Sequence, residues 1–328
     1  MSTKGMSTVR AYGAIAITAL LLALLPVVVQ SNTVINALVT AMIIALAGQG
    51  WNLLAGYGGQ FSFGHAAFFG AGAYGNAILQ TRYGINAYAA MLVATAIGAL
   101  VGAIIGYLSF RSGLRGSYFA LITLAFAEVF RIVANATPAT GGAAGTLIKL
   151  QVAAANFQFA SRAFYFWIIL ALVIAAMLLM RGIERSRFGA YLVAVRENEN
   201  AAAALGVDTF DVKLRAMTLS AAMTALAGAF YVQYFLFVDS SIAFGTWISV
   251  EALLAPIIGG LGTVFGPLLG ALALHFLGEL AKAVAGRVPG IDLALFGILL
   301  VLIIAFARDG LQGLLSRLSR FWRTRRPA

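Results

Sequence analysis

The 328-residue sequence predicts an all-α polytopic membrane protein of about ten transmembrane helices, with inverted repeats and two discontinuous helices. Three observations carry that prediction. Apolar residues make up 62% of the chain and the mean hydropathy is +0.94. Charged residues make up only 10%, against about 25% in a soluble domain. Several uninterrupted apolar runs approach the ~20 residues that cross ~30 Å of hydrocarbon as helix.

Taken in order, the predicted spans are residues 11–29, 34–54, 61–79, 87–110, 118–133, 164–180, 217–237, 248–258, 264–284 and 293–307. The first follows Lys4 and Arg10 as a signal peptide would, but Val28-Val29-Gln30-Ser31 offers no small-x-small cleavage site, so it reads as a retained helix. The third contains Gly64, Gly70, Gly72 and Gly75 behind Gly58-Gly59. The eighth is too short to span and runs through Pro256 into Gly259-Gly260-Leu261-Gly262. Both read as discontinuous helices. They fall at matching places if spans two to five and seven to ten are inverted repeats, each with a Gly-Gly pair followed by an aromatic-Gly pair, Phe63-Gly64 and Phe265-Gly266.

Charge sets the orientation. The formal net charge of +11 comes from basic residues at the ends of apolar runs, which argues against nucleic acid. Ten crossings with both termini in the cytoplasm put Lys4, Arg10, Arg111, Arg115, Arg181, Arg185, Arg187, Arg196, Lys213, Arg215 and Arg308 inside. The Arg317, Arg320, Arg323, Arg325 and Arg326 tail joins them. Only Arg82, Arg131, Lys149, Arg162, Lys282 and Arg287 fall opposite. The chain reads as one membrane domain over 1–328, with a core at 10–308, a polar cytoplasmic loop at 182–214 and a basic tail at 309–328 suited to anionic lipid.

The chemistry is sparse. Without cysteine there are no disulfides or thiolate metal sites, and His65 and His275 stand far apart. None of the four lysines follows a glycine, so Gly141-Gly142-Ala143-Ala144-Gly145 is not a phosphate-binding loop. Glu128, Glu251 and Glu279 are the carboxylates that could serve ion coupling. Glu128 and Arg131, three apart on one helix, read as a structural ion pair near the outer surface, and Glu251 and Glu279 sit near span ends. Ser62 and His65 could touch, but no carboxylate in their segment orients the imidazole, and His65 reads as donating to a backbone carbonyl. An ion-coupled carrier using Glu128 and His65, and a membrane enzyme using Ser62 and His65, stand as alternatives.

The loop 182–214 carries the strongest local signal. Its sequence Arg196-Glu197-Asn198-Glu199-Asn200-Ala201-Ala202-Ala203-Ala204-Leu205-Gly206 predicts a short helix, with Asn198 capping the first turn, acids at the positive end, and Gly206 at the left-handed C′ position. So short a helix needs a support, and its alanine face flanked by charge suits a partner's groove better than a lipid surface.

These residues together resemble a known family. Gly58-Gly59-Gln60-Phe61-Ser62-Phe63-Gly64-His65-Ala66-Ala67-Phe68-Phe69-Gly70, Gly116-Ser117-Tyr118-Phe119-Ala120, Thr140-Gly141-Gly142-Ala143-Ala144-Gly145, the Arg196 to Gly206 stretch and Gly259-Gly260-Leu261-Gly262-Thr263 are similar, in order, to the branched-chain amino acid ABC transporter permease of LivM type. Permeases for urea and short-chain amides share much of this pattern. The resemblance implies a multi-pass subunit of a bacterial inner-membrane importer. Its implied partners are a second permease of LivH type, two cytoplasmic ATPases of LivG and LivF type, and a periplasmic binding protein. This chain then needs no cofactor, ATP and Mg residing on the partners. By the same resemblance Arg196, Glu197, Asn198, Glu199, Ala202, Ala203, Leu205 and Gly206 form the ATPase-coupling loop, an E-A-A…G pattern in which Asn200 and Ala201 separate the acid from the alanine pair. Gly59, Gln60, Ser62, Gly64, His65, Glu128, Gly259 and Gly260 are the expected pathway residues.

Overall fold

The computed structural model describes residues 8–29, 31–285, 291, 294, 297–298, 301 and 310–313. The helices in chain order are α1 (Thr8–Val28), α2 (Asn32–Trp51), α3 (His65–Tyr83), α4 (Ala87–Arg111), α5 (Gly116–Ala136), α6 (Arg162–Glu184), α7 (Arg187–Glu197), α8 (Glu199–Ala204), α9 (Thr209–Phe235), α10 (Ser240–Ala243), α11 (Thr246–Gly259) and α12 (Gly266–Ala285). The chain is an all-α polytopic membrane protein. Among the described residues, eight helical segments are long and apolar enough to cross a membrane: α1, α2 with its extension to Tyr57, α4, α5, α6, α9, α10 with α11, and α12. A ninth predicted span is α3, whose nineteen residues carry Asn76 and Gln80 and are enclosed by α4 and α9. The tenth, 293–307, lies largely outside the described residues, as does the basic tail.

Lipid tails are as apolar as leucine, so helices in a bilayer associate through close packing and polar contacts. This chain follows that rule around α9. Gly98, Gly102 and Gly106 recur every fourth residue along one face of α4 and meet Ala225, Ala221 and Met217 of α9. On α3, Gly72 abuts the backbone of Ala225, and Gly228 of α9 abuts the backbone of Phe69. A Cβ at Gly98, Gly102, Gly72 or Gly228 would collide, so these glycines set the helix spacing. Polar contacts add to this: Asn76 Nδ2 donates to Ala229 O at 2.9 Å and Gln80 Nε2 to Gln233 Oε1 at 2.9 Å.

One expected discontinuity lies at its predicted glycines, Gly259-Gly260, and the other precedes the predicted span. α3 is unbroken, its internal glycines being packing positions. The irregularity precedes it, where α2 widens into a π-helical turn over Asn52–Tyr57 and the chain runs non-helically to Gly64. The eighth span breaks at Phe244-Gly245 between α10 and α11, and Pro256 stays within α11, which ends at Gly259. α9 begins eight residues before the predicted 217, because Asp208 accepts from the Asp211 amide and caps a polar first turn.

Between α5 and α6 the chain forms a small cap. Residues Thr146–Leu147 (β1) pair antiparallel with Phe237–Val238 (β2), which directly follows α9. Buried Gln158 ties the cap internally, accepting from Gln151 N at 2.6 Å and donating to Lys149 O at 3.0 Å.

Candidate functional site

The site is built where α2 loses its regular helix. Trp51 is fully buried and its Nε1 donates to Ser62 O at 2.8 Å, while Thr123 Oγ1 of α5 accepts from Phe63 N at 3.2 Å. Gly59 takes φ +70°, which favours glycine, and the backbone turns back toward α3. Thus held, the segment presents Phe61 and Phe63, 44% and 40% exposed, to a cleft of about 410 Å³. The opposite wall is the start of α5: Gly116, Ser117, Ala120 and Leu121. π-Helical turns of this kind recur at functional sites because they re-aim the following residues.

A second glycine turn, between α11 and α12, is clasped to the first by two polar side chains of the second span. Asn52 accepts from Gly262 N at 2.8 Å and donates to Thr263 O at 2.9 Å, and Gln49 Nε2 donates to Val264 O at 2.8 Å. These bonds saturate backbone groups that a glycine turn inside a membrane domain would otherwise leave open. Buried Gln49 and Asn52 in an apolar run were the sequence signal for this clasp, and only their distant partners give it meaning.

Helices α7 and α8 sit on the same turn. α7 packs Leu192 against Gly58, and Arg196 Nη1 donates to Gly56 O at 2.8 Å. The Cα and Cβ of Arg196 lie close over Gly59. Nearby, Tyr57 donates to Glu184 Oε1 at 2.6 Å, and Arg181 Nη1 bonds Glu184 Oε2 at 2.6 Å, closing the rim.

The predicted short helix is two helices meeting at Asn198. Arg196 and Glu197 end α7, and Asn198, in extended conformation, accepts from Ala201 N at 3.0 Å to cap α8. Gly206 takes φ +86° just beyond. Glu199 turns inward: Lys213 Nζ of α9, 5% exposed, donates to Glu199 Oε1 at 2.6 Å, and Arg115 Nε approaches Oε2 at 3.5 Å. The Lys213 ammonium also lies 5.0 Å from the Phe110 ring centroid. Ala202 is buried and Glu199 half-buried, whereas Ala203, Ala204 and Leu205, the last 86% exposed, face outward.

Several expected pathway residues lie elsewhere. His65 and Ser62 do not pair, because Ser62 Oγ accepts from Gly64 N at 3.2 Å while fully buried His65 bonds Ser220 Oγ of α9 at 2.9 Å. The expected backbone carbonyl partner of His65 is therefore a side-chain hydroxyl. Gly64 is packed on Thr123, Gly259 on Gly266, and Gly260 beside Gln312, so all three are buried spacers. Glu128 forms a two-bond fork with Arg131, at 2.6 and 2.9 Å, and the pair stands apart from the cleft lining. Gly59 and Gln60 are partly exposed beside Phe61. Glu279 pairs with Lys282 at 2.9 Å, but Glu251 is not solvated at a span end: its Oε2 is buried without a hydrogen bond among the described residues.

Comparison with known proteins gives a consistent picture. Residues 33–304 match the family described as branched-chain amino acid transport system / permease component. The high-affinity branched-chain amino acid transport system permease protein LivM of Escherichia coli (strain K12) is 30% identical over 282 residues, covering 78% of this chain and 65% of its own. A probable branched-chain amino acid transport permease protein LivM of Methanocaldococcus jannaschii is 26% identical over 68% of this chain and 67% of its own. The fructose import permease protein FrcC of Rhizobium meliloti is 27% identical, covering 68% and 63%. The chain thus spans 65% of the length of the Escherichia coli relative it matches. No solved structure matches.

Proposed function

The chain belongs to the branched-chain amino acid transport system permease family, and from that premise we propose that it is the membrane-spanning subunit of an ATP-driven importer of the bacterial inner membrane. In this reading it moves branched-chain, hydrophobic amino acids received from a periplasmic binding protein. It pairs with a second permease of LivH type and is driven by two cytoplasmic ATPases of LivG and LivF type, which hold the ATP and Mg. Both termini lie in the cytoplasm.

The observation that carries this reading is the α7–α8 pair. A two-turn helix is unstable alone, yet here one is anchored to α9 and α5 through Glu199 and offers Ala203, Ala204 and Leu205 to a partner. The apolar lining of the cleft, with Phe61, Phe63 and Leu121, suits an apolar substrate side chain and supports amino acids over urea or amides. The ion-coupled alternative drawn on His65 and Glu128 is disfavoured, since these two have separate partners, Ser220 and Arg131.

The test is co-purification of the two ATPases with the wild-type chain and with Leu205→Arg, expressed with the second permease. Wild type retains the ATPases and the variant loses them. Equal retention in both removes α8 from the partner contact, and no retention by either removes the ATPase partnership.

A further inference from the structure

We infer that Arg196 is a positioning residue that links the α7–α8 pair to an aromatic gate formed by Phe61 and Phe63. The inference rests on the permease reading and deepens it, by naming the atoms through which force on the cytoplasmic helices reaches the cleft.

The argument starts from Gly56. In the widened turn of the second span, the amides of Gly58, Gly59 and Gln60 go to Leu53, Ala55 and Leu54, and the Gly56 carbonyl receives the Arg196 guanidinium instead. This charge-assisted bond is the kind that holds geometry best. Arg196 also lies over Gly59, where a Cβ would stand 2.7 Å from Arg196 Cγ, and the space beside Gly262 opens toward its Nη1. One side chain on α7 therefore contacts the turn that carries the gate and borders the second glycine turn clasped to it by Asn52.

Phe61 and Phe63 follow Gly59 by two and four residues on one non-helical segment, so displacement at Gly56 and Gly59 reaches them without passing through a flexible linker. Between them fully buried Ser62 is the pivot, its carbonyl held by Trp51 Nε1 at 2.8 Å. Phe61 rests edge-on against Trp51 at 5.6 Å, and Phe63 N bonds Thr123 Oγ1. Both residues line the cleft together with Ser117 and Leu121, so a small rotation of the segment changes its width. Glu197 shares the guanidinium at 2.7 Å, 68% exposed, and keeps it oriented without burying it.

The chain has no cysteine, so a single engineered thiol is the one site on this subunit, and labelling is read on its separated band. In the assembled complex, Ser117→Cys on the opposite wall, which leaves both rings in place, is labelled from the cytoplasmic side with a membrane-impermeant maleimide, with and without ATP plus vanadate. The expected nucleotide response is about tenfold in labelling rate, the shift one charge-assisted hydrogen bond can carry. It is lost when Arg196→Gln is added, and equally with Gly59→Ala, which displaces Arg196 from the opposite side, while the ATPases remain bound. A response that persists in both variants, or none in the parent, overturns the proposal. Loss of the ATPases from Arg196→Gln alone also overturns it, by making Arg196 part of the partner contact. Absence of ATPases from the parent complex instead rejects the permease reading on which it stands.

Discussion

Replacing Glu199 by Gln should release α8 from the membrane domain while leaving the domain folded. The Lys213 ammonium is 5% exposed and donates to Glu199 at 2.6 Å, with Arg115 a further 3.5 Å contact on the same carboxylate. Removing the carboxylate leaves a buried cation without its counter-charge, a change that costs about 3–5 kcal/mol for a fully enclosed pair. Glu199 is 17% exposed, so about 2–3 kcal/mol is the better expectation here. That corresponds to roughly a 30- to 150-fold rise in the undocked population, since a helix of two turns has no stability of its own. The assay is amide hydrogen exchange over Ala201 to Gly206 in detergent, where the variant should lose protection by that factor while α9 keeps its own. The double variant Glu199→Gln with Lys213→Met should recover most of it, because the stranded charge is then gone. Unchanged protection in Glu199→Gln would refute the reasoning. A change at Glu199 therefore undocks α8 as well as altering the proposed partner contact, and Leu205 is the cleaner position to probe.

Other expectations follow from the packing and the clasp. Gly102→Leu should destabilise the bundle by about 1–3 kcal/mol, because its side chain must enter the space of Ala221, and thermal denaturation in detergent measures this. Asn52→Leu removes both bonds to the second glycine turn and should cost about 2 kcal/mol. It should also raise the labelling rate of a thiol placed at Leu261→Cys relative to the same thiol with Asn52 intact. Uptake by the complete system, supplied with ATP, should persist when an uncoupler is added, and its collapse would favour an ion-coupled carrier.

What the sequence revealed here was what short range decides. The Asn198 cap and the left-handed Gly206 were readable because each depends on residues three or four apart. The Glu128–Arg131 fork was readable for the same reason. The direction of Glu199 was not, because Lys213 lies on another helix, and a coupling motif alone does not distinguish an acid that faces a partner from one that faces inward. His65 was misplaced because its partner, Ser220, is 155 residues away. The glycines of α3 signalled a break when they were spacers, since hydropathy does not separate a glycine that bends a helix from one that admits a neighbour. The exposure of Phe61 and Phe63 to the cleft follows from the turn at Gly59, which hydropathy does not report.

The two-residue pairing of β1 with β2 has a mechanical consequence out of proportion to its size. It staples one end of α9 to the cap, and 22 residues along the same helix, about 33 Å away, Lys213 holds Glu199 of α8. Between these ends α9 is gripped along its length by the glycine contacts of α3 and α4. The cap and α8 are therefore joined through one stiff element, and a load applied at Glu199 is shared with the bundle before it reaches the β pairing.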